Sequence, residues 1–190
     1  MIGVSGAGKT TLIDIIIGLL EPQKGTLEVD GKIINKNNYH SWQHLIGYVP
    51  QTIFLTDKSI AQNIAFGIDP EKIDYQAVER AAKIANLHKF IIEQLPKKYE
   101  TFVGEHGVRL SGGQRQRIGI ARSLYRKPQV LVFDEATNGL DSATEKKLLD
   151  EIYNLKESMT LIMISHQYDT LNKCDRIFKL ENGIVIEKSH

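Results

Sequence analysis

Cysteine is nearly absent from the chain. Cys174 is the single one among 190 residues, which excludes an intrachain disulfide and suits a reducing compartment. There is also no excess of charge. Twenty-four Lys and Arg against 23 Asp and Glu leave a formal +1, so no global field draws in nucleic acid or an acidic membrane. Long apolar runs are missing too. The most apolar early run, residues 12–20, contains Asp14 and is about half the roughly 20 residues a membrane helix needs. It is expected to be a buried helix, so any membrane part must come from another segment or chain. The opening is no signal peptide, being glycine-rich with its first cation, Lys9, inside a motif. His40, His44, His88, His106 and His190 show no metal-ligand spacing, and with one cysteine a zinc site has no support. Internal repeats and low-complexity stretches are absent as well.

What is present is ordinary for a soluble globular protein, with 42% apolar and 25% charged residues. The length suits one large domain, or a domain with an inserted lobe. Residues 10–20 are predicted helical, ending before Pro22. TLEVDGKII predicts a hairpin turning at Asp30-Gly31, and IGYVP a short buried strand closed by Pro50. Residues 59–66 and 74–95 are predicted helical, with Ile73, Ala77, Ala81, Ile84 and Leu87 near one face. A longer helix is expected from Ser111 to about Arg126. Its arginines 115, 117, 122 and 126 are expected on a solvated face, because neutral net charge and scattered aromatics fit no nucleic-acid module. QVLVFD and MTLIMIS are continuous apolar strands, as in a parallel sheet covered on both faces. Residues 142–156 predict an amphipathic helix. A short helix is expected after MTLIMIS, then a closing hairpin at Glu181-Asn182-Gly183. The alternation indicates an α/β fold, with a core of residues 1–50 and 126–190 and a mainly helical insertion over 51–125.

Three constellations carry chemistry. Gly3-Val4-Ser5-Gly6-Ala7-Gly8-Lys9-Thr10 matches G-x-x-x-x-G-K-[ST]. Glycines let successive N–H groups turn inward on phosphate oxygens, and the following helix adds its positive N-terminus. Lys9 would reach the β- and γ-phosphates, and the Thr10 hydroxyl would ligate Mg²⁺. The alternative, a glycine-rich turn with an exposed lysine, is disfavoured by the buried-looking helix behind it. Asp134 and Glu135 end an apolar strand, at the carboxyl edge where an open α/β sheet binds ligands. Asp134 is placed to hold Mg²⁺ and Glu135 to polarise an attacking water. His166 follows MTLIMIS in the same way. A lone histidine there is more often structural, but its place after a second sheet strand favours a role at the same edge.

Leu110-Ser111-Gly112-Gly113-Gln114-Arg115-Gln116-Arg117 is a second anion site, with a hydroxyl and open backbone N–H groups at a helix N-terminus. One chain rarely needs two such sites for one triphosphate, so the second is expected to complete the pocket of another copy. Here the sequence resembles the nucleotide-binding domains of ABC ATPases over nearly its whole length. LSGGQ is that family's signature, Gln51 in GYVPQ matches its Q-loop, Asn138-Gly139-Leu140-Asp141 its D-loop and His166 its switch histidine. VGEHG and FLTDKSIAQNIAFG are similar to segments of exporters, and the likeness extends to bacterial flippases for lipid-linked oligosaccharides and lipids. Asn138-Gly139, His106 and Gln167 stand where exporters often carry two small residues, arginine and arginine. None of these departures removes a catalytic group.

The resemblance implies a P-loop NTPase (RecA-like) core with a mainly parallel sheet and an inserted helical signature subdomain. It implies ATP and Mg²⁺ as cofactors, a second ABC domain bound head-to-tail, and a transmembrane transport domain, fused or separate. ATP would contact Gly3, Ser5, Gly6, Ala7, Gly8, Lys9, Thr10 and Thr11 of one chain. Ser111, Gly112, Gly113, Gln114 and Asp141 would complete the site from the other. Mg²⁺ would be held by Thr10, Gln51 and Asp134, with Glu135, His166 and Gln51 serving hydrolysis at the cytoplasmic face of the inner membrane. In this family an antiparallel β-segment, bearing an aromatic that stacks on adenine, precedes the loop. Only Met1 and Ile2 do so here, and Tyr39, Trp42 and Tyr48 all lie downstream. The expectation is a truncated front, an unstable isolated chain and weak ATP binding through phosphates. Two other functions stay open. One is a soluble ABC ATPase of DNA repair, chromosome organisation or translation, which usually carries coiled-coil, zinc or tandem modules that are lacking here. The other is a non-hydrolysing, nucleotide-dependent association module, against which Glu135 and His166 argue.

Overall fold

The computed structural model describes residues 1–4, 6–137, 140–155, 158–165 and 173–188. At its centre are three parallel strands, in the order β3 (Ile46–Val49), β4 (Val130–Asp134) and β5 (Thr160–Ile164). β4 is buried from Val130 to Phe133, as its unbroken apolar run requires in a sheet covered on both faces. Helix α1 (Lys9–Ile16) shares one cluster with Trp42, Val130, Val132 and Ile164, and α7 (Ser142–Tyr153) shares the other with Phe133 and Met163. Both predicted hairpins form. β1 (Leu27–Val29) pairs antiparallel with β2 (Lys32–Ile34), turning at Asp30-Gly31, where φ is 48° and 74°. β6 (Ile177–Glu181) and β7 (Ile184–Lys188) turn at Asn182-Gly183, with φ 50° and 75°. Positive φ at both central residues matches the right-handed twist of a two-residue hairpin.

The helices are shorter than their periodicity predicts. The helix expected over residues 10–20 stops at Ile16, because Gly18 takes φ 74°. Gly18 N–H then bonds the Ile15 carbonyl and Leu19 N–H the Asp14 carbonyl. That pattern closes a helix on a left-handed residue and satisfies its last carbonyls. Residues 74–95 form two helices, α4 (Tyr75–Ile84) and α5 (His88–Gln94), split where Asn86 has φ 53°. Leu87 remains fully buried across the break, so the apolar spacing gave no warning of it. α2 (Tyr39–His44) buries Trp42, whose indole N–H bonds the Ile16 carbonyl at 2.7 Å. α3 (Ile60–Ile64) and α6 (Gly112–Leu124) each begin with a capping box, Ser59 with Gln62 and Ser111 with Gln114. In both, two orphan N–H groups of the helix end are satisfied reciprocally. The short helix expected after β5 lies outside the described residues.

The expected solvated face of α6 is a correction. Arg126 is exposed, but Arg115 donates to the Leu110 carbonyl at 2.7 Å and Arg117 to the Asn86 carbonyl at 2.7 Å. Arg122 donates to the carbonyls of Asn63 and Phe54 at 2.8 and 2.9 Å. These three cations tie α6 to its surroundings through charge-assisted bonds to backbone carbonyls that would otherwise lack donors.

Met1 and Ile2 lie between β5 and β6. Ser165 N–H bonds the Met1 carbonyl at 3.3 Å, Ile2 N–H the Phe178 carbonyl at 2.8 Å, and Leu180 N–H the Ile2 carbonyl at 2.8 Å. The Met1 ammonium donates to the Met163 carbonyl. Two residues thus bridge the parallel strands to the closing hairpin and carry the chain into Gly3.

Candidate functional site at the carboxyl edge of the sheet

The phosphate loop hangs from Ile2 and turns through Gly6 and Gly8, with φ 78° and 97°. Both values lie in the left-handed region, which a side chain would strain. Gly8 caps α1 with no side-chain acceptor, so the amides of the first turn are left to an outside anion. Lys9 folds back over the loop, its Nζ donating to the Gly3 and Val4 carbonyls at 2.7 and 3.2 Å. Thr10 and Thr11 are exposed, while Gly3 and Ala7 are partly covered. Ser5 lies outside the described residues.

Asp134 and Glu135 stand where β4 ends. Burial is the main influence on the Asp134 carboxyl and pushes it above the usual carboxylate range. Tyr48 and Lys9 pull it back, and the Glu135 charge adds to the rise. Glu135 turns away from the strand at φ 50°, with its N–H on the Ile164 carbonyl at 3.2 Å. Gln51 donates its side-chain amide to Glu135 Oε2 at 3.0 Å. Lys9, Asp134, Glu135 and Gln51 therefore meet at one edge, although Gln51 and Glu135 are 84 residues apart.

Sequence reasoning missed Tyr48. It lies opposite Val132 in the β3–β4 register, and its hydroxyl donates to Asp134 Oδ2 at 3.3 Å. Its phenol is pushed up to about 12, first by burial and then by the Asp134 charge, so it remains a donor at neutral pH. The signal was available, since in a parallel pair the strand beside an acidic strand end places its own side chains next to that end.

The second anion motif stands apart. Ser111 and Gln114 bond each other's backbone N–H groups at 3.2 and 2.8 Å, and the Gly113 carbonyl accepts from Arg117 at 3.3 Å. Ser111 and Gly112 are exposed. Among the described bonds, none joins this motif to the phosphate loop of the same chain. Asp141 caps α7 through Thr144 N–H at 3.0 Å, which holds its carboxyl below the usual range. Its charge is felt by Arg117 on α6. His166 and Asn138-Gly139 lie outside the described residues. Among the described residues no three His, Cys, Asp or Glu gather into a metal cluster, and no helix is long and apolar enough to cross a membrane.

The chain is similar to known proteins over most of its length. The family described as ABC transporter matches residues 1–138. The chain is 40% identical over 187 residues to an ATP-dependent lipid A-core flippase of Saccharophagus degradans, covering 98% of this chain and 31% of the relative. It is 41% identical over 188 residues to multidrug resistance protein pgp-1 of Caenorhabditis elegans, covering 99% of this chain and 14% of that protein. The structure of a bacterial Atm1-family ABC exporter with ATP bound superimposes with a TM-score of 0.88 at 38% identity. The match covers 96% of this chain and 31% of the exporter chain. The chain thus spans less than a third of the flippase and exporter it resembles. With a phosphate loop, an acidic strand end and a separate LSGGQ helix in one such fold, the chain belongs to the ABC transporter family.

Proposed function

We propose that this chain binds and hydrolyses ATP to drive an exporter- or flippase-type membrane domain. The observation carrying this reading is the meeting of Lys9, Asp134, Glu135 and Gln51 at one sheet edge, joined by the 3.0 Å bond from Gln51 to Glu135. Gly3, Gly6, Ala7, Gly8, Lys9, Thr10 and Thr11 hold the triphosphate, and Glu135 takes the proton from the attacking water. His166 and Ser5 are assigned by their places in the family motifs. Ser111, Gly112, Gly113, Gln114 and Asp141 complete the site of a second chain, bound head-to-tail with two-fold symmetry. The Ser111 motif supports this, since among the described residues no bond joins it to the phosphate loop of its own chain, as suits a second anion site that serves another copy. The relatives are a flippase and an exporter, which supports a membrane domain as partner, and the cytoplasmic face of the inner membrane is the place proposed for this chain.

The acidic edge suits Mg²⁺. Asp134, the Thr10 hydroxyl and the Gln51 side-chain carbonyl are hard oxygen donors that would hold the ion, and a cation there would favour the charged form of the Asp134 carboxyl, which burial disfavours. Mg²⁺ bound there offsets the phosphate charge. Tyr48 orients the Asp134 carboxylate for it. Tyr48→Phe is expected to raise the Mg²⁺ concentration for half-maximal ATP turnover by about 2- to 10-fold, the worth of one hydrogen bond. An unchanged Mg²⁺ requirement removes Tyr48 from this role. The overall reading is tested by steady-state phosphate release from the chain with ATP and Mg²⁺. Turnover abolished by Lys9→Ala supports it, whereas nucleotide-dependent association without phosphate release favours the association module.

A further inference from the structure

Helix α1 carries one carboxylate, Asp14. It is flanked by Ile13 and Ile17, which are buried with Trp42, Val130, Val132 and Ile164, and Tyr48 of β3 packs against the same cluster. Thr10 stands one turn earlier on the same face, since residues four apart are neighbours on a helix. Asp14 is partly covered, and among the described residues no side-chain donor or cation is bonded to its carboxylate. Its charge reaches two groups of the acidic edge. Burial comes first in raising the Asp134 carboxyl, and the Glu135 and Asp14 charges push the same way. The Tyr48 phenol, raised first by burial, responds to Asp134 and then to Asp14. Among the described residues the cation felt at Asp134 is Lys9, and its Nζ is already bonded to the Gly3 and Val4 carbonyls. The phosphate loop therefore opens beside an excess of negative charge.

We infer that Asp14 is a specificity-determining residue, one that makes the site reject free ATP and accept the complex of ATP with Mg²⁺. The inference rests on the proposed function, which places the triphosphate at this edge. Free ATP brings its whole phosphate charge toward Asp14, Asp134 and Glu135, and like charges repel strongly where water is partly excluded. A bound divalent cation cancels part of that charge and turns the same carboxylates into an attraction. Asp134 ends its strand beside the loop. Asp14 lies one turn further along α1 and acts through its charge, which suits an ion that keeps several of its waters. Loop amides and a lysine attract the nucleotide with or without the cation. Selectivity between the two forms needs a repulsive element against the wrong one, and Asp14 supplies it.

The test is equilibrium binding of the β,γ-imido analogue of ATP, which is not hydrolysed, to the unaltered chain and to Asp14→Asn. Each is measured in excess Mg²⁺ and in excess EDTA, at low ionic strength where screening is least. Asparagine keeps the shape and the helix propensity of aspartate, so the fold is little disturbed. Without the cation, Asp14→Asn is expected to bind the analogue about 3- to 10-fold more tightly, the effect of one partly screened charge. With Mg²⁺ its binding is expected to weaken. Movement in opposite directions is the diagnostic result, because damage to the fold weakens both. Asp14→Glu, which keeps the charge, is expected to retain the Mg²⁺ dependence of the unaltered chain. If Asp14→Asn leaves the ratio of the two affinities unchanged while the analogue still binds, the inference fails and the ATP reading stands. If the unaltered chain binds no analogue in either condition, the ATP reading falls and the inference with it.

Discussion

Glu135→Gln is expected to lower ATP turnover by about 10²- to 10⁴-fold, the usual share of a positioned general base. ATP binding should persist, because the phosphate-facing groups of the loop are untouched. Glutamine keeps the side-chain length and an oxygen for the Gln51 amide, which now lies 3.0 Å from Glu135 Oε2. It removes the basic oxygen that would take a proton from water. Bound ATP then accumulates unhydrolysed, and two chains should remain associated with ATP between them. Single-turnover phosphate release and equilibrium ATP binding, measured on the same preparation, separate the two effects. Turnover unchanged within about twofold would give the base to another group, since a lost general base costs far more than that.

Arg122→Met is expected to be the most damaging change away from the nucleotide. The guanidinium donates to the Asn63 carbonyl, the Phe54 carbonyl and Asn63 Oδ1 at 2.8, 2.9 and 3.2 Å, and lies 4.7 Å over the Phe66 ring. Asn63 is fully buried, and its side-chain amide in turn donates to the Thr56 and Ser59 carbonyls. One cation thus joins α6 to α3 and to the segment that follows Gln51. Methionine retains the apolar stem but leaves the Asn63 and Phe54 carbonyls short of a donor, at a cost of about 2–4 kcal/mol. In a domain of this size that corresponds to a fall in Tm of roughly 5–15 °C. A thermal melt followed by circular dichroism measures it. A shift under about 1 °C would show that water replaces the guanidinium without loss, against the usual cost of unmet buried acceptors.

Much of the fold was legible because each signal had a local cause. Asp30-Gly31 and Asn182-Gly183 take positive φ readily, so both hairpins could be read from their turns. VLVF is apolar without a break, so β4 could be read as a strand covered on both faces. Helix ends were harder. Gly18 was visible as a stop but was outweighed by the apolar run continuing to Leu20, and Leu19 and Leu20 are exposed. Asn86 breaks α4 from α5 while Leu87 keeps the buried face continuous, so periodicity alone cannot detect the interruption. The arginines of α6 failed for a different reason. Their partners include the backbone carbonyls of residues 54, 63, 86 and 110, brought to the helix by tertiary packing that no sequence spacing encodes.

The site followed the same rule. Lys9 and the Asp134–Glu135 pair carry their chemistry in their own side chains and their place beside or at a strand end, so they could be read as candidates from the sequence. Tyr48 acts through a neighbouring strand, and finding it requires the β3–β4 register. Trp42 lies downstream of the loop; it is core, bonded to the end of α1, and forms no platform at the nucleotide edge.

The central claim is that the loop of one chain and the Ser111 motif of another make one ATP site. Mixing two inactive chains tests it most directly, one carrying Lys9→Ala and the other Ser111→Arg. In the mixed dimer, one of the two sites has both an intact Lys9 loop and an intact Ser111 motif. The mixture is predicted to recover ATP turnover that neither chain has alone, up to about a quarter of the unaltered rate if pairing is random in a two-fold dimer. Each single chain that fails alone, followed by no recovery at any mixing ratio, would contradict a shared site and return Ser111 to the pocket of its own chain.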